Sequence, residues 1–331
     1  MRARRAKLKA VAKRRQQQVG AAIDVGSNSV HLLVARMGTP RTVARRGLVV
    51  LDDRSQLLGL GEVVDKEARI PLDQRRKILG SIAEFLLVAR AAGAERATLI
   101  GTEPFRRAAN GPDVAAEVSA VTGMPLHVIS VRMEAMLTFM GATAGLPPPE
   151  PLVVVDIGGG STEVSIHSPG APLVVVPLPI GSGRLTRGTV EHDPPTSDEL
   201  DRLRRAAQVS VQELPQMRWQ GPPPRAIFVG GTATNLARLG RLTRAGLAED
   251  RRTLANLSSA QVVEHFGVRP QRARQLPAGA AIVDALLARL GLDAAGVAES
   301  SLRDGAIIAA SRFGDEWPER LADLFGAPPQ A

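Results

Sequence analysis

No cysteine and no tyrosine occur in the 331 residues. Their absence excludes thiolate nucleophiles, disulfides, zinc ribbons and iron–sulfur clusters, and with them every cysteine-dependent phosphatase mechanism. Aromatic side chains make up only 3% of the chain, which argues against a single-strand nucleic-acid binder built on stacked bases. No run of about 18 apolar residues exists, so no membrane span is expected, and no apolar stretch of signal-peptide type follows the N-terminus. A cytoplasmic location is the expectation. Gly-Lys, GxGxxG and HExxH are all missing, which removes the P-loop, the dinucleotide fingerprint and the zinc-protease helix.

Positive charge is abundant but local. The net charge is +9, yet residues 1–18 alone hold eight Lys or Arg and no acid. Removing those eight leaves the remainder near +1. Such a run is expected to be disordered and self-repelling, and it could touch a polyanion; a solvated extension is the alternative. The remaining composition, 44% hydrophobic and 23% charged, is that of a globular protein long enough for two domains.

Strands and helices alternate along the chain, which predicts an α/β fold with sheets flanked by helices. Strands are expected at 21–25, 30–35, 97–102 and 126–130, with helices at 73–92, 113–122 and 133–144. A stiff proline connector at 146–151 follows, and the pattern restarts with strands at 152–157, 163–167, 172–178 and 226–229. Helices are expected from the capping sequence at Thr196, from the one at Ser258, over 278–290 and, as the last, over 303–313. The boundaries that follow are 1–18 for the tail, 19–140 for a first domain and 150–331 for a second, whose last helix packs back on the first.

One device occurs twice. Ile23-Asp24-Val25-Gly26-Ser27 and Val155-Asp156-Ile157-Gly158-Gly159-Gly160-Ser161 each read as a buried strand, an aspartate near its end, a glycine turn and a returning strand. A glycine turn exposes successive N–H groups that can form a nest for phosphate oxygens, and Ser27, Ser29 and Ser161 add hydroxyl donors. Ordinary tight hairpins are the bland alternative, and the matched repeat favours phosphate. Asp156 and Glu163 flank the second turn as oxygen ligands suited to a hydrated Mg²⁺ or Mn²⁺, with Asp24 a further candidate. Arg106 follows a strand end, where a guanidinium can clamp phosphate or lie on the surface. Glu134 falls in the first turn of a helix; the bare residues leave it open between a capping acid and a carboxylate that activates water. Gly230, Gly231 and Thr232 follow another strand and join the phosphate-binding set.

The ordered motifs AAIDVGSNSVHLLVA (21–35), GTEPFRRAANG (101–111), VVVDIGGGSTEVSI (153–166), GSGRL (181–185), VGGTATNLA (229–237) and SSLRDG (300–305) resemble the exopolyphosphatase/guanosine pentaphosphate phosphatase (Ppx/GppA) family from about residue 20 to 313. The resemblance implies two actin-like (ASKHA, ribonuclease H-like) domains with an interdomain cleft. It implies Mg²⁺-dependent removal of terminal phosphate from inorganic polyphosphate or guanosine pentaphosphate, and the partner expected besides substrate is a second copy in a homodimer. By motif, Asn28 and Ser29 match the family's first phosphate loop, Arg106 its phosphate-contacting arginine, Gly158, Gly159 and Gly160 its second loop, Asp156 and Glu163 its metal-associated acids, and Glu134 its catalytic glutamate. The family's usual Ser-Gly-x-Glu-Glu-Ala here reads Ser130-Val131-Arg132-Met133-Glu134-Ala135, which loses a glycine and one acid. The family's long members carry a further C-terminal helical domain, so the resemblance is to a short, two-domain member. Alternative readings are a weak or inactive polyphosphate- or alarmone-binding regulator, an ATP-dependent kinase of the same fold with Gly230–Thr232 lining an adenosine pocket, and a nucleic-acid adaptor acting through the tail.

Overall fold

The computed structural model describes residues 18–38, 47–145, 148–216, 219 and 223–326. The basic run 1–17, with the disorder expected of it, lies outside these residues. So do Leu146 and Pro147 of the proline connector. The described residues form two units: those up to 145 together with those from Ser300 onward, and those within Pro148–Glu299.

In the first unit the strands are β1 (Val19–Val25), β2 (Ser29–Met37), β3 (Leu48–Leu57), β4 (Arg96–Gly101) and β5 (Leu126–Val128). Their spatial order is β3-β2-β1-β4-β5. β1 pairs antiparallel with β2 and parallel with β4. A strand in that central place is covered on both faces, which is why β1 reads as an unbroken small and apolar run. Ala21, Ala22, Ile23 and Val25 are all buried. One face packs against Ile78, Ile82 and Phe85 of helix Leu72–Ala91. Helix Leu302–Phe313 lies on the sheet from far along the chain, so close that a Cβ at Gly20 would sit 2.9 Å from Ile307 Cγ2. The same helix crosses helix Val131–Ala142, where a Cβ at Gly141 would lie 2.6 Å from the Ser301 carbonyl oxygen.

The second unit repeats the plan. Its strands are β6 (Leu152–Ile157), β7 (Thr162–His167), β8 (Val174–Leu178), β9 (Arg225–Val229) and β10 (Gly296–Val297), in the order β10-β9-β6-β7-β8. Strand directions match the first unit pair by pair, with β6 antiparallel to β7 and parallel to β9. Each unit is thus a ribonuclease H-like sheet, and the repeat read from two short motifs extends to the whole topology. Helix Leu276–Leu290 is the buried centre of this unit, and its Gly279 lies against Thr232, where a Cβ would approach Cγ2 to 2.5 Å.

Several elements differ from the expected list, helices Ser182–Arg187 and Arg244–Asn256 and strand β10 among those not expected. β3 and helix Leu60–Glu67 were not among the expected elements. β3 is an edge strand whose Asp52, Asp53 and Arg54 interrupt the apolar pattern, and helix Leu60–Glu67 opens on Gly59 and Gly61. The last helix is Trp317–Phe325 and not 303–313. Pro318 stands in its first turn, where its missing N–H is not needed, and Trp317, Leu321 and Phe325 bury one face at four-residue spacing. Helix Val131–Ala142 starts two residues earlier than the apolar stripe suggests, because Ser130 caps it by accepting from the Met133 N–H. Among the described residues no helix is long and apolar enough to cross a membrane.

Candidate active site

The two glycine turns close in the same way. The Gly26 N–H donates to the Ser29 carbonyl at 3.0 Å, and the Gly158 N–H to the Ser161 carbonyl at 3.0 Å. A second likeness goes beyond the motifs. In each unit the segment after the third strand holds the turn's carbonyls. The Ser27 carbonyl accepts from the Gly61 N–H at 2.7 Å, and the Asn28 carbonyl from Leu58 and Gly59 at 2.9 and 3.0 Å. In the second unit the Gly158 carbonyl accepts from Ser182 at 3.1 Å, and the Gly159 carbonyl from Arg184 at 2.8 Å. Glycines make both approaches fit: a Cβ at Gly61 would lie 2.9 Å from Ser27 Cβ, and one at Gly181 2.5 Å from the Gly160 nitrogen. Because C=O and N–H point opposite ways in a trans peptide, fixing these carbonyls turns the N–H groups of Asn28 and Ser29, and of Gly159 and Gly160, away from the segments that hold them.

The aspartates are equivalent in place but not in company. Asp24 pairs across the strands with His31, whereas Asp156 pairs with Glu163. The facing carboxylates therefore occur in the second unit alone, and the assignment of Asp24 to a metal gains no acid across its strand pair. Glu163 is buried. Gly230 follows β9 with φ +87°, and a Cβ there would stand 2.5 Å from Asp156 Oδ1. The carboxylate occupies space that only glycine leaves. Among the described residues no three acidic or imidazole groups stand together as a complete cation cage. Two hard oxygen donors do fit Mg²⁺, which keeps several waters and takes its other ligands from phosphate.

Arg106 lies in the short helix Glu103–Arg107, held to the end of β4 by Thr102. Its Nη1 donates to the Ile129 carbonyl at 2.7 Å and to Glu134 Oε2 at 3.0 Å. The structure thus brings together two residues 28 positions apart that the sequence marked separately. Both side chains are about one-fifth exposed, at 22% and 23%, so each keeps a face open to a ligand.

Hydroxyls behave less simply. Ser27 Oγ donates to Glu103 Oε2 at 2.7 Å, and Glu103 is itself paired with Arg107, which also reaches Asp65. Ser29 is buried, while Asn28 is exposed. Thr232 Oγ1 shares a hydrogen bond of 2.9 Å with Ser182 Oγ, which donates to Gln275 Oε1 at 3.3 Å. Arg272 Nη1 donates to the same Gln275 oxygen at 3.2 Å. The Arg272 guanidinium lies over Gly231, with Nη2 3.2 Å from where a Cβ would be. Burial, then the nearby Arg269, pushes its pKa below the ordinary arginine value, while Asp156 pulls it up. Arg184 Nη2 lies 3.8 Å from where a Cβ on Gly160 of the second turn would be, and Arg187 Nη1 3.4 Å from one on Gly183 in the helix Ser182–Arg187. Glu103, Arg272 and Gln275 were not marked in the sequence. Only the placement of Arg272 in a chain rich in arginine distinguishes it, and that placement is tertiary.

The Ppx/GppA phosphatase family model matches residues 41–311. Exopolyphosphatase 1 of Mycobacterium tuberculosis is 31% identical over 313 residues, covering 86% of each chain. The chain belongs to the Ppx/GppA phosphatase family. Exopolyphosphatase 2 of the same organism is 29% identical over 317 residues, covering 87% of this chain and 97% of that one. The crystal structure of the Aquifex aeolicus Ppx/GppA family member superposes with a TM-score of 0.77 at 25% identity, over 90% of this chain and 99% of that one. As a Ppx/GppA member the protein is an enzyme, a phosphoanhydride hydrolase with the actin-like fold. At the departure from the usual Ppx/GppA pattern, Val131 opens the helix after the Ser130 cap and Glu134 falls in its first turn.

Proposed function

We propose that this Ppx/GppA phosphatase releases the terminal phosphate of inorganic polyphosphate by attack of water. The observation that carries the reading is the Arg106–Glu134 pair: a carboxylate able to orient water, held by a guanidinium able to bind phosphate. A phosphate on Arg106 competes for the guanidinium hydrogen bonds that hold Glu134. The carboxylate then accepts a proton from water as the water oxygen bonds to phosphorus and the bridging oxygen leaves with the shortened chain. In the first unit the outward N–H groups of Asn28 and Ser29 are suited to phosphate oxygens, and in the second unit those of Gly159 and Gly160 are, with Arg184 beside Gly160 and Arg272 over Gly231. In phosphoryl transfer most of the catalysis is positioning and charge stabilisation, which suits a site assembled from turns. Asp156 and Glu163 would hold Mg²⁺, which supplies charge neutralisation on the phosphate oxygens when bound.

Polyphosphate is favoured over guanosine pentaphosphate by the side chains present. The groups at the turns are arginines, glycines, hydroxyls and acids, which suit the repeated phosphates of a polyanion. The test is phosphate release with Mg²⁺ from long-chain polyphosphate, guanosine pentaphosphate and ATP, without an acceptor. Release from polyphosphate at the highest kcat/KM is expected. ATP-dependent phosphorylation of an acceptor with no release from polyphosphate would overturn the reading in favour of a kinase.

A further inference from the structure

A cavity lies in the first unit at the sheet edge where β4 and β5 begin, away from the turns at the strands' far ends. It measures about 590 Å³. Leu86, Ala89, Leu99 and Met124 give it apolar walls, and Trp317 closes one side, its ring edge-on to His127 at 5.2 Å. Burial lowers the His127 pKa and the charge of Glu319 raises it, and Glu319 stands two residues after Trp317 in the helix Trp317–Phe325. The lining cations and acids are Arg90, Arg96, Glu95 and Asp315, with Arg96 paired to Asp315 at 2.8 Å. Glu95 and Glu319 have no ion pair among the described residues. The adjoining segment 314–325 carries Asp315, Glu316, Glu319 and Asp323 against Arg320 alone.

The described chain begins beside this cavity. Gln18 lines a smaller pocket that shares Arg96, Thr98 and Ala310 with the large one. The Glu95 N–H donates to the Val19 carbonyl at 2.9 Å, which fixes the chain's point of departure one strand from the cavity wall. Seventeen residues precede Gln18, with all eight of the N-terminal Lys and Arg among them and with Leu8 and Val11 between the charges. Extended, they reach about 55 Å, several times the span of the cavity.

We propose that residues 1–17 of this same chain dock over the cavity, with Leu8 and Val11 against the apolar walls and the basic side chains on Glu95, Glu319 and the acidic segment 314–325. Apolar walls flanked by unpaired acids, next to the departure point of a basic segment, match it in both charge and reach. Docking would leave the basic arm sequestered at low ionic strength and released as salt screens it.

Because the chain has no cysteine, introduced pairs report uniquely. Ala12→Cys with Ala94→Cys places one thiol in the segment and one at the cavity, while Ala12→Cys with Lys66→Cys is the control on an exposed helix at the other end of the unit. Under mild oxidation at low salt, the cavity pair is expected to cross-link within one molecule at least about fivefold faster than the control. The ratio should fall towards one at 0.5 M salt, and also on adding Glu95→Gln and Glu319→Gln. Equal rates at low salt, a ratio indifferent to salt and to both substitutions, or cross-linked dimers in place of monomers would overturn the proposal. Hydrogen exchange of the unaltered full chain gives a second reading. Slower exchange over residues 314–321 at low salt than at high salt is expected, and no difference counts against docking.

Discussion

Replacing Gly230 with alanine tests whether the Asp156 carboxylate occupies space that only glycine leaves. Two costs arise and can be separated. At φ +87° an L-residue is strained, by roughly 1–2 kcal/mol. In addition the new Cβ would stand 2.5 Å from Asp156 Oδ1 and 3.0 Å from the Ile157 carbonyl oxygen. An ordinary contact requires the carboxylate to move by about 1 Å, and crowding of that kind costs about 1–3 kcal/mol more. Gly170 supplies the control, with φ +78° and nothing within 4 Å of its would-be Cβ. Gly170→Ala therefore carries strain without crowding. Gly230→Ala should be less stable than Gly170→Ala by about 2 kcal/mol, a difference of roughly 4–8 °C in Tm for a unit of this size. In phosphate-release assays the Mg²⁺ concentration for half-maximal rate should rise about tenfold for Gly230→Ala and stay unchanged for Gly170→Ala. Matching Tm and Mg²⁺ dependence in the two variants would refute the argument that Gly230 makes room for Asp156.

Two further variants probe the frame around the site. Asp250 is 6% exposed, its Oδ2 has no hydrogen-bond partner among the described residues, and burial, then Glu249, raises its pKa to about 6. A carboxyl with a raised folded pKa binds its proton more tightly in the folded state, so the contribution of Asp250 to stability is full below about pH 4 and is lost as pH rises through about 6, by up to roughly 3 kcal/mol. Asp250→Asn should remove most of that slope and gain about 1–2 kcal/mol at pH 8 after the cost of an unpaired amide; urea titrations at pH 4.5 and pH 8 that keep the wild-type slope would contradict this. Gly305→Ala would drive a methyl group into the Leu137 carbonyl oxygen on the helix that carries Glu134. Thermal melts should show a loss of about 2–3 kcal/mol or more and phosphate release should fall with it, whereas an unchanged Tm would show that the two helices part at little cost.

What was legible in the chain was what depends on neighbours in sequence. The apolar runs around Asp24 and Asp156, the glycine turns, the capping boxes at Thr196 with Glu199 and at Ser258 with Gln261, and the stop at Gly291 all act over a few residues, and the structure forms each of them. The internal repeat was legible because each copy is continuous. What could not be read depends on residues brought in from afar. Glu103 meets Ser27 across 76 positions. Arg272 reaches Gly231 through the fold alone, and the grip on the turn carbonyls comes from backbone amides that carry no side-chain signature. The edge strand β3 escaped because exposure lets charge interrupt its pattern. Helix Trp317–Phe325 lies beyond the last family motif, so no resemblance pointed to it.

The central claim is that Glu134 activates water while other groups hold the substrate, so binding and turnover must come apart in one variant. Glu134→Gln keeps the shape and a hydrogen-bond acceptor for Arg106 but cannot take a proton. Measured with one preparation of long-chain polyphosphate and Mg²⁺, its binding should stay within about threefold of wild type while phosphate release falls about 10²–10⁴-fold. Near-normal release, or binding lost in step with release, would contradict the account.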